Sequence, residues 1–160
     1  MIHDSVGPVA MKGMRSRGRS LECQANLQRL TLALLLYEKE HGQLPDGDWR
    51  EAVQMAAECR CPSHPGLAEG ETTYAMVSGV PNAMPTIGPS PSQILLVETR
   101  EPQRDGRIPF EQATFDNGLG SNHFRNEINV ALRSGAVRSL PADINPVELR
   151  KHLDGTGDAP

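Results

Sequence analysis

The chain lacks a long hydrophobic run, an excess of positive charge and a rich supply of aromatic residues. Its longest apolar run, residues 32–37, is far shorter than the about 20 residues that a transmembrane helix needs, and residues 1–10 contain no signal-peptide core. A net charge of -4 does not favour binding to nucleic acid, which is itself negatively charged. Aromatics make up 4% of the chain, whereas 15 glycines and 13 prolines predict long loops and short strands.

A length of 160 residues fits one compact domain. We expect a basic N-terminal segment at 1–19, a globular domain at 20–153 and a flexible tail at 154–160. The first segment is either disordered or the remnant of an anchor helix. Its cations are Lys12, Arg15, Arg17 and Arg19. They form either a solvated terminus or a basic patch close to anionic lipid headgroups.

One amphipathic helix is predicted over residues 20–41. Its apolar positions recur at alternating steps of four and three, so they share one face. Gly42 is placed to cap the helix, and Pro45 prevents it from resuming. The face expected to pack on the core comprises Leu27, Leu30, Leu34 and Tyr37, in line with Cys23 and His41.

The same helix carries apolar residues on another side, namely Leu32, Leu35 and Leu36. A helix that is apolar on more than one side needs more than one partner surface. We therefore interpret these three residues as an assembly face.

The rest of the pattern predicts a small sheet and two short helices. Strands are expected at residues 72–77 and 94–97, and a hairpin at 128–140 turns at Ser134-Gly135. The segment 100–121 is expected to be irregular. Helices are expected from Asp48 onward and over 146–153, the latter with Val147, Leu149 and Leu153 facing inward. The predicted fold class is α+β, a long N-terminal helix packed on a small antiparallel sheet.

Three cysteines leave an odd count. In an oxidising compartment, Cys23 is expected to pair with Cys61 or with Cys59, and the alternative is three buried thiols. Cys59, Cys61 and His64 also resemble part of a zinc site, with Cys23 as a fourth ligand, although Cys-x-Cys is tighter than the usual ligand spacing. We therefore expect no metal and no cofactor, and keep this set as a weaker alternative.

No motif of catalysis stands out. The chain has no serine elbow, no phosphate-cradling glycine loop and no helical His-Glu pair. His123, in a loop rich in glycine and asparagine, is expected to hydrogen-bond the backbone. The sequence therefore predicts a protein that is not an enzyme.

Four blocks in order resemble one family. They are Cys23-Gln-Ala-Asn-Leu, then Cys61-Pro-Ser-His-Pro, then Tyr74-Ala-Met-Val-Ser-Gly with Gln93-Ile-Leu-Leu-Val-Glu, and last His123 followed by Ser134-Gly135. Together they resemble the prepilin-type, pilin-like proteins abundant in planctomycetes, which carry a C-terminal His-x9-Asp-Gly signature and are related to type II secretion pseudopilins. Here ten residues separate His123 from Ser134, Ser134 stands where Asp is usual, and His64 replaces an Asp.

The resemblance implies a pilin-like fold and a structural subunit of protein secretion or of a surface filament. Its implied partners are other pilin-like subunits or secretion-machinery proteins. The alternatives are a soluble protein- or ligand-binding module derived from a pilin head, and a small zinc-stabilised domain. The family's N-terminal anchor helix is absent from residues 1–19. We expect membrane contact, in the periplasm or at the cell surface, only for a full-length chain that carries such a helix.

Overall fold

A computed structural model describes residues 8–55, 58–64, 67–80, 91–103, 105–120 and 127–155, and for residues 8–17 it describes the backbone alone. Across these ranges the chain forms three helices, a five-stranded sheet and a short 3-10 helix. The helices are α1 (Pro8–His41), α2 (Trp49–Val53) and α3 (Pro146–Asp154). The strands are β1 (Thr72–Ser78), β2 (Ile94–Gln103), β3 (Arg107–Pro109), β4 (Glu127–Leu132) and β5 (Val137–Pro141). The predicted α+β class is confirmed.

Helix α1 is longer than predicted, because it begins at Pro8 and not at residue 20. Pro8 has a backbone suited to a first helical turn, and no further proline interrupts propagation before His41. The expected boundary between residues 19 and 20 therefore lies inside one helix of 34 residues, about 51 Å long. The helix ends as predicted, with Gly42 at a φ of 81° and its N–H bonded to the Glu38 carbonyl. Within the described ranges, no helix is both long and apolar enough to cross a bilayer.

The sheet has the order β3-β1-β2-β4-β5 and is mixed, not antiparallel throughout. The pairs β1–β2, β2–β4 and β4–β5 are antiparallel, whereas β1–β3 is parallel. The exception arises because β2 continues past Val97 to Gln103 and the chain then reverses. Strand β3 thereby runs along the free edge of β1, where the Met76 N–H donates to the Gly106 carbonyl at 2.9 Å. The expectation of irregular structure over 100–121 is wrong for these two strands.

The sheet is covered on both faces. On one face, helices α1 and α2 pack on Tyr74, Leu96 and Ala131. On the other, α3 and the 3-10 helix (Phe110–Gln112) pack on Ala75, Val97 and Val130. The first part of β2, residues 94–97, is buried on both sides, as its continuous apolar run predicted.

Helix α3 follows its predicted caps but not every predicted contact. The Asn145 side chain accepts a hydrogen bond from the Val147 N–H at 2.8 Å. Leu149 and Leu153 are buried, as expected, but Val147 is 62% exposed and does not face inward. At 3.6 residues per turn, Val147 lies about 160° around α3 from the buried Leu149, on the side away from the core. Asp154 belongs to the helix and not to the tail, and residues 156–160 lie outside the described ranges.

Candidate functional site

The inner side of α1 packs on the sheet. Leu27, Leu30 and Leu34 are fully buried, which confirms their assignment to the core face. Tyr37, which was assigned to the same face, is only half-buried. Its ring stacks on that of His41 with centroids 3.9 Å apart, because residues four apart share one face of a helix.

The opposite side of α1 exposes an outer stripe, which we define as Leu21, Leu32 and Leu36. Their exposed fractions are 60%, 55% and 56%. At 3.6 residues per turn, the three side chains fall within an arc of about 60°. Leu35, which was predicted to lie on this assembly face, is half-buried and packs against the core, so that assignment is wrong. Leu21 was missed, although its spacing of three helical turns from Leu32 was visible in the sequence.

A second feature lies between α1 and the sheet, where two thiols, a phenol and a carboxylate from four segments meet. Cys23 comes from the inner side of α1, and Cys61 comes from the loop between α2 and β1. Tyr74 on β1 and Glu98 on β2 are direct cross-strand partners, so both side chains point to the α1 face. We call Cys23, Cys61, Tyr74 and Glu98 the thiol–carboxylate cluster. All four side chains are buried.

The cluster is joined by short polar contacts. The Tyr74 hydroxyl donates to Cys23 Sγ at 3.0 Å, and Cys23 Sγ donates to Glu98 Oε2 at 3.4 Å. The other carboxylate oxygen, Glu98 Oε1, accepts from the Asn129 N–H. The ligand atoms of Cys23, Cys61 and Glu98 all lie within 4.8 Å of one another. Two sulfurs and one carboxylate oxygen are therefore close enough to one another to bind one metal ion.

Burial keeps the Cys23 thiol and the Tyr74 phenol protonated in the absence of a cation, because it raises the pKa of both groups. Burial, the hydrogen bond with Cys61 and the negative charge of Glu98 together raise the pKa of the Cys23 thiol far above its ordinary value. Burial and the neighbouring thiols also raise the pKa of the Tyr74 phenol. The cluster is therefore not an arrangement that produces a reactive thiolate by itself.

Hydrogen bonds fix the segments that carry the cluster. The Thr72 hydroxyl donates to the Cys59 carbonyl at 2.6 Å, and Asn26 Nδ2 donates to the Arg60 carbonyl at 3.4 Å. These two bonds join the loop between α2 and β1, which carries Cys59 and Cys61 and which we call the cysteine loop, to β1 and to α1. On the opposite side, Asn129 Oδ1 accepts from Gln24 Nε2 at 3.0 Å and from Ser139 Oγ at 2.7 Å, which holds α1 against β4 and β5.

The structure brings the predicted disulfide partners together but does not bond them. Cys23 and Cys61 are neighbours, and all three cysteines are thiols. The weaker alternative, a zinc site formed by Cys59, Cys61 and His64, is wrong. Among the described residues, Cys61 is grouped with Cys23 and Glu98 instead. Cys59 is buried in the same core cluster as Cys61 and lines a surface cleft of about 710 Å³, together with Asp48 and Arg50. Burial raises the pKa of Cys59 to about 11.

Sequence reasoning missed Glu98 and Tyr74 as cluster members. The available signal was the period of two along β2, which places Glu98 on the same face as Leu96. His123, the loop histidine of the C-terminal signature, lies outside the described residues.

No protein-family model matches this chain, and no curated protein and no solved structure matches it. The resemblance to pilin-like proteins therefore stays a prediction.

Proposed function

We propose that this chain is a non-enzymatic assembly subunit of the pilin-like kind, which packs side by side with copies of itself in a secretion complex or a surface filament. The observation that carries the proposal is the division of α1 into two opposite apolar sides. The inner side is buried on the sheet, and the outer stripe of Leu21, Leu32 and Leu36 faces outward.

A second copy of this chain is the occupant that fits the outer stripe. The stripe is narrow and apolar and follows a helix axis, so a second helix is the complementary surface. Among the described elements α1 has 34 residues, whereas α2 has 5 and α3 has 9. Burying the exposed half of each leucine would contribute about 1 kcal/mol. A side-by-side contact between two α1 helices would use all three.

The test is self-association of a variant that changes only the stripe. In Leu32→Asp/Leu36→Asp, two charges replace apolar groups on the outer side of α1. We expect the wild-type chain to form concentration-dependent oligomers in sedimentation velocity, and the variant to remain monomeric with an unchanged circular dichroism spectrum.

Val147→Asp is the matched control, because Val147 is an equally exposed apolar residue on α3. It should associate like the wild type. A wild-type chain that stays monomeric at every concentration would contradict the proposal, as would equal loss of association in the control.

A soluble binding module is the second candidate, and the cleft beside Cys59 favours it. Its volume of about 710 Å³ lies within the range of small-molecule sites, and its lining includes Arg50, Arg60, Glu69 and Glu71. A monomeric wild type whose thermal midpoint rises with a charged small molecule, and no longer does so in Arg60→Ala, would support this candidate.

A further inference from the structure

We propose that Cys23, Cys61 and Glu98 form a binding site for a thiophilic divalent cation, with zinc as the best match. The site is independent of the proposed assembly role. It would be structural, because its ligands are buried and come from α1, the cysteine loop and β2.

The ligand separations fit a tetrahedral zinc ion. Zinc–sulfur bonds of about 2.3 Å and zinc–oxygen bonds of about 2.0 Å place sulfur and oxygen about 3.5 Å apart and two sulfurs about 3.8 Å apart. Cys23 Sγ and Glu98 Oε2 are 3.4 Å apart, and the three ligand atoms lie within 4.8 Å of one another. Small side-chain adjustments would therefore suffice to bind the ion.

Tyr74 and Asn129 complete the surroundings of the site. The Tyr74 hydroxyl is 3.0 Å from Cys23 Sγ, close enough to occupy the fourth position of a tetrahedron or to donate to the bound sulfur. The Asn129 N–H bonds Glu98 Oε1 and leaves Oε2 directed at Cys23. Such partners orient ligands and raise metal affinity.

A cation also explains why this set of side chains is buried together. A disulfide between Cys23 and Cys61 would use both sulfurs and would remove the hydrogen bond that Cys23 donates to Glu98 Oε2. With a divalent ion, the thiol protons of Cys23 and Cys61 pass to solvent. The two thiolates then balance the charge of the metal, and the Glu98 carboxylate leaves the site with one net negative charge. The ion would then clamp α1 onto the sheet.

The experiment is metal titration of the full chain. The protein is stripped with a chelator under reducing conditions and titrated with Co²⁺, then with Zn²⁺. We expect one equivalent of Co²⁺ to give the intense visible bands of a tetrahedral site and a thiolate charge-transfer band. Zinc should displace it and raise the thermal midpoint. This readout needs no variant, so it remains decisive even if a substitution prevents folding.

Variants then assign the ligands. Cys61→Ser and Glu98→Gln should weaken binding by more than about 100-fold, and Tyr74→Phe by about 10–100-fold. Cys59→Ser is the matched control, since Cys59 is as buried as Cys61 but its sulfur is not one of the three grouped ligand atoms, and it should bind like the wild type.

Three results would overturn the proposal. The first is a reduced wild-type chain that gives no tetrahedral Co²⁺ spectrum. The second is Cys59→Ser losing affinity as strongly as Cys61→Ser. The third is a Cys23–Cys61 disulfide in protein isolated without reductant, because bridged sulfurs do not ligate zinc.

Discussion

The indole N–H of Trp49 donates a hydrogen bond of 2.6 Å to the carbonyl of Gly106, and this bond joins α2 to the turn between β2 and β3. Trp49 is fully buried. Gly106 has a φ of 66°, and a Cβ atom at this position would lie 2.7 Å from Trp49 Nε1. The turn therefore needs glycine for its backbone conformation and for the close approach of the indole ring.

Gly106→Ala should lower the free energy of unfolding by about 2–5 kcal/mol, the sum of about 1–2 for a left-handed backbone and about 1–3 for overlap with the indole. Gly47→Ala is the matched control. Gly47 has a φ of 67° but nothing within 4 Å of a Cβ atom, so only the backbone cost of about 1–2 kcal/mol applies. Urea unfolding measures both. Equal losses would show that the indole moves aside without cost.

The cap of α2 predicts a pH-dependent contribution to stability. Asp48 accepts hydrogen bonds from the Arg50 backbone N–H at 3.0 Å and from Arg50 Nη2 at 2.6 Å. Burial raises the pKa of Asp48, but the bonds and charge of Arg50 outweigh burial and lower it overall. Because the folded pKa lies below the unfolded one, this stabilisation is present above the unfolded pKa and is lost as pH falls through the folded pKa.

Asp48→Asn keeps a side-chain acceptor at the cap and removes the charge. It should cost about 1–2 kcal/mol at pH 7, and the cost should shrink toward zero as the pH is lowered below about 4. Denaturant unfolding across this range measures the difference. Asp143→Asn, at an exposed carboxyl, should change stability by less than about 0.5 kcal/mol at each pH. A cost at Asp48 that stays constant with pH would contradict the ion-pair interpretation.

The parts of the fold that the sequence predicts are those with local signals. Gly42 ends α1 and Asn145 starts α3, because each residue satisfies backbone groups within its own turn. The apolar run at 94–97 and the Ser134-Gly135 turn likewise mark β2 and the β4–β5 hairpin. Strand β3 has no such signal, since its pairing depends on where the long β2 ends.

The candidate site depends on contacts that are distant in sequence. Cys23 and Glu98 are separated by 75 residues, so no spacing rule connects them. The helical period correctly predicted that Leu30 lies on the buried side of α1 and Leu32 on the exposed side. It could not place Leu35, because its burial depends on a core cluster that includes residues of other segments, such as Tyr74 and Leu96. Cys59 and Cys61 illustrate the same limit, since they are two residues apart and only Cys61 joins the thiol–carboxylate cluster.

The two sides of α1 should differ sharply in their contribution to folding. Leu27→Ala removes a fully buried side chain and should cost about 2–5 kcal/mol. Leu32→Ala, on the outer stripe, removes a side chain that is only half-buried, beside Gly135, and should cost no more than about 1 kcal/mol. Urea unfolding at a low protein concentration, where the chain is a monomer, separates folding from association. Similar losses at both positions would mean that the outer stripe contributes to the monomer.

An ion pair between α1 and the turn after β4 should contribute to docking of the helix. Arg133 Nη1 lies 3.1 Å from Glu38 Oε1 and 3.0 Å from Oε2, and both side chains are partly buried. A double-mutant cycle with Glu38→Gln and Arg133→Met should give a coupling of about 0.5–1 kcal/mol.

The exposed pair Lys151–Glu148, within α3 and 3.5 Å apart, is the matched control and should give about 0.2–0.5 kcal/mol. Added salt should reduce the α3 coupling more than the Glu38–Arg133 coupling, because partial burial limits screening by ions. If both couplings were equal and equally sensitive to salt, the Glu38–Arg133 pair would be an ordinary surface contact. The position of α1 on the sheet would then depend on contacts such as the buried leucines, the Asn129 hydrogen bonds and the hydrogen bonds of Cys23 with Tyr74 and Glu98.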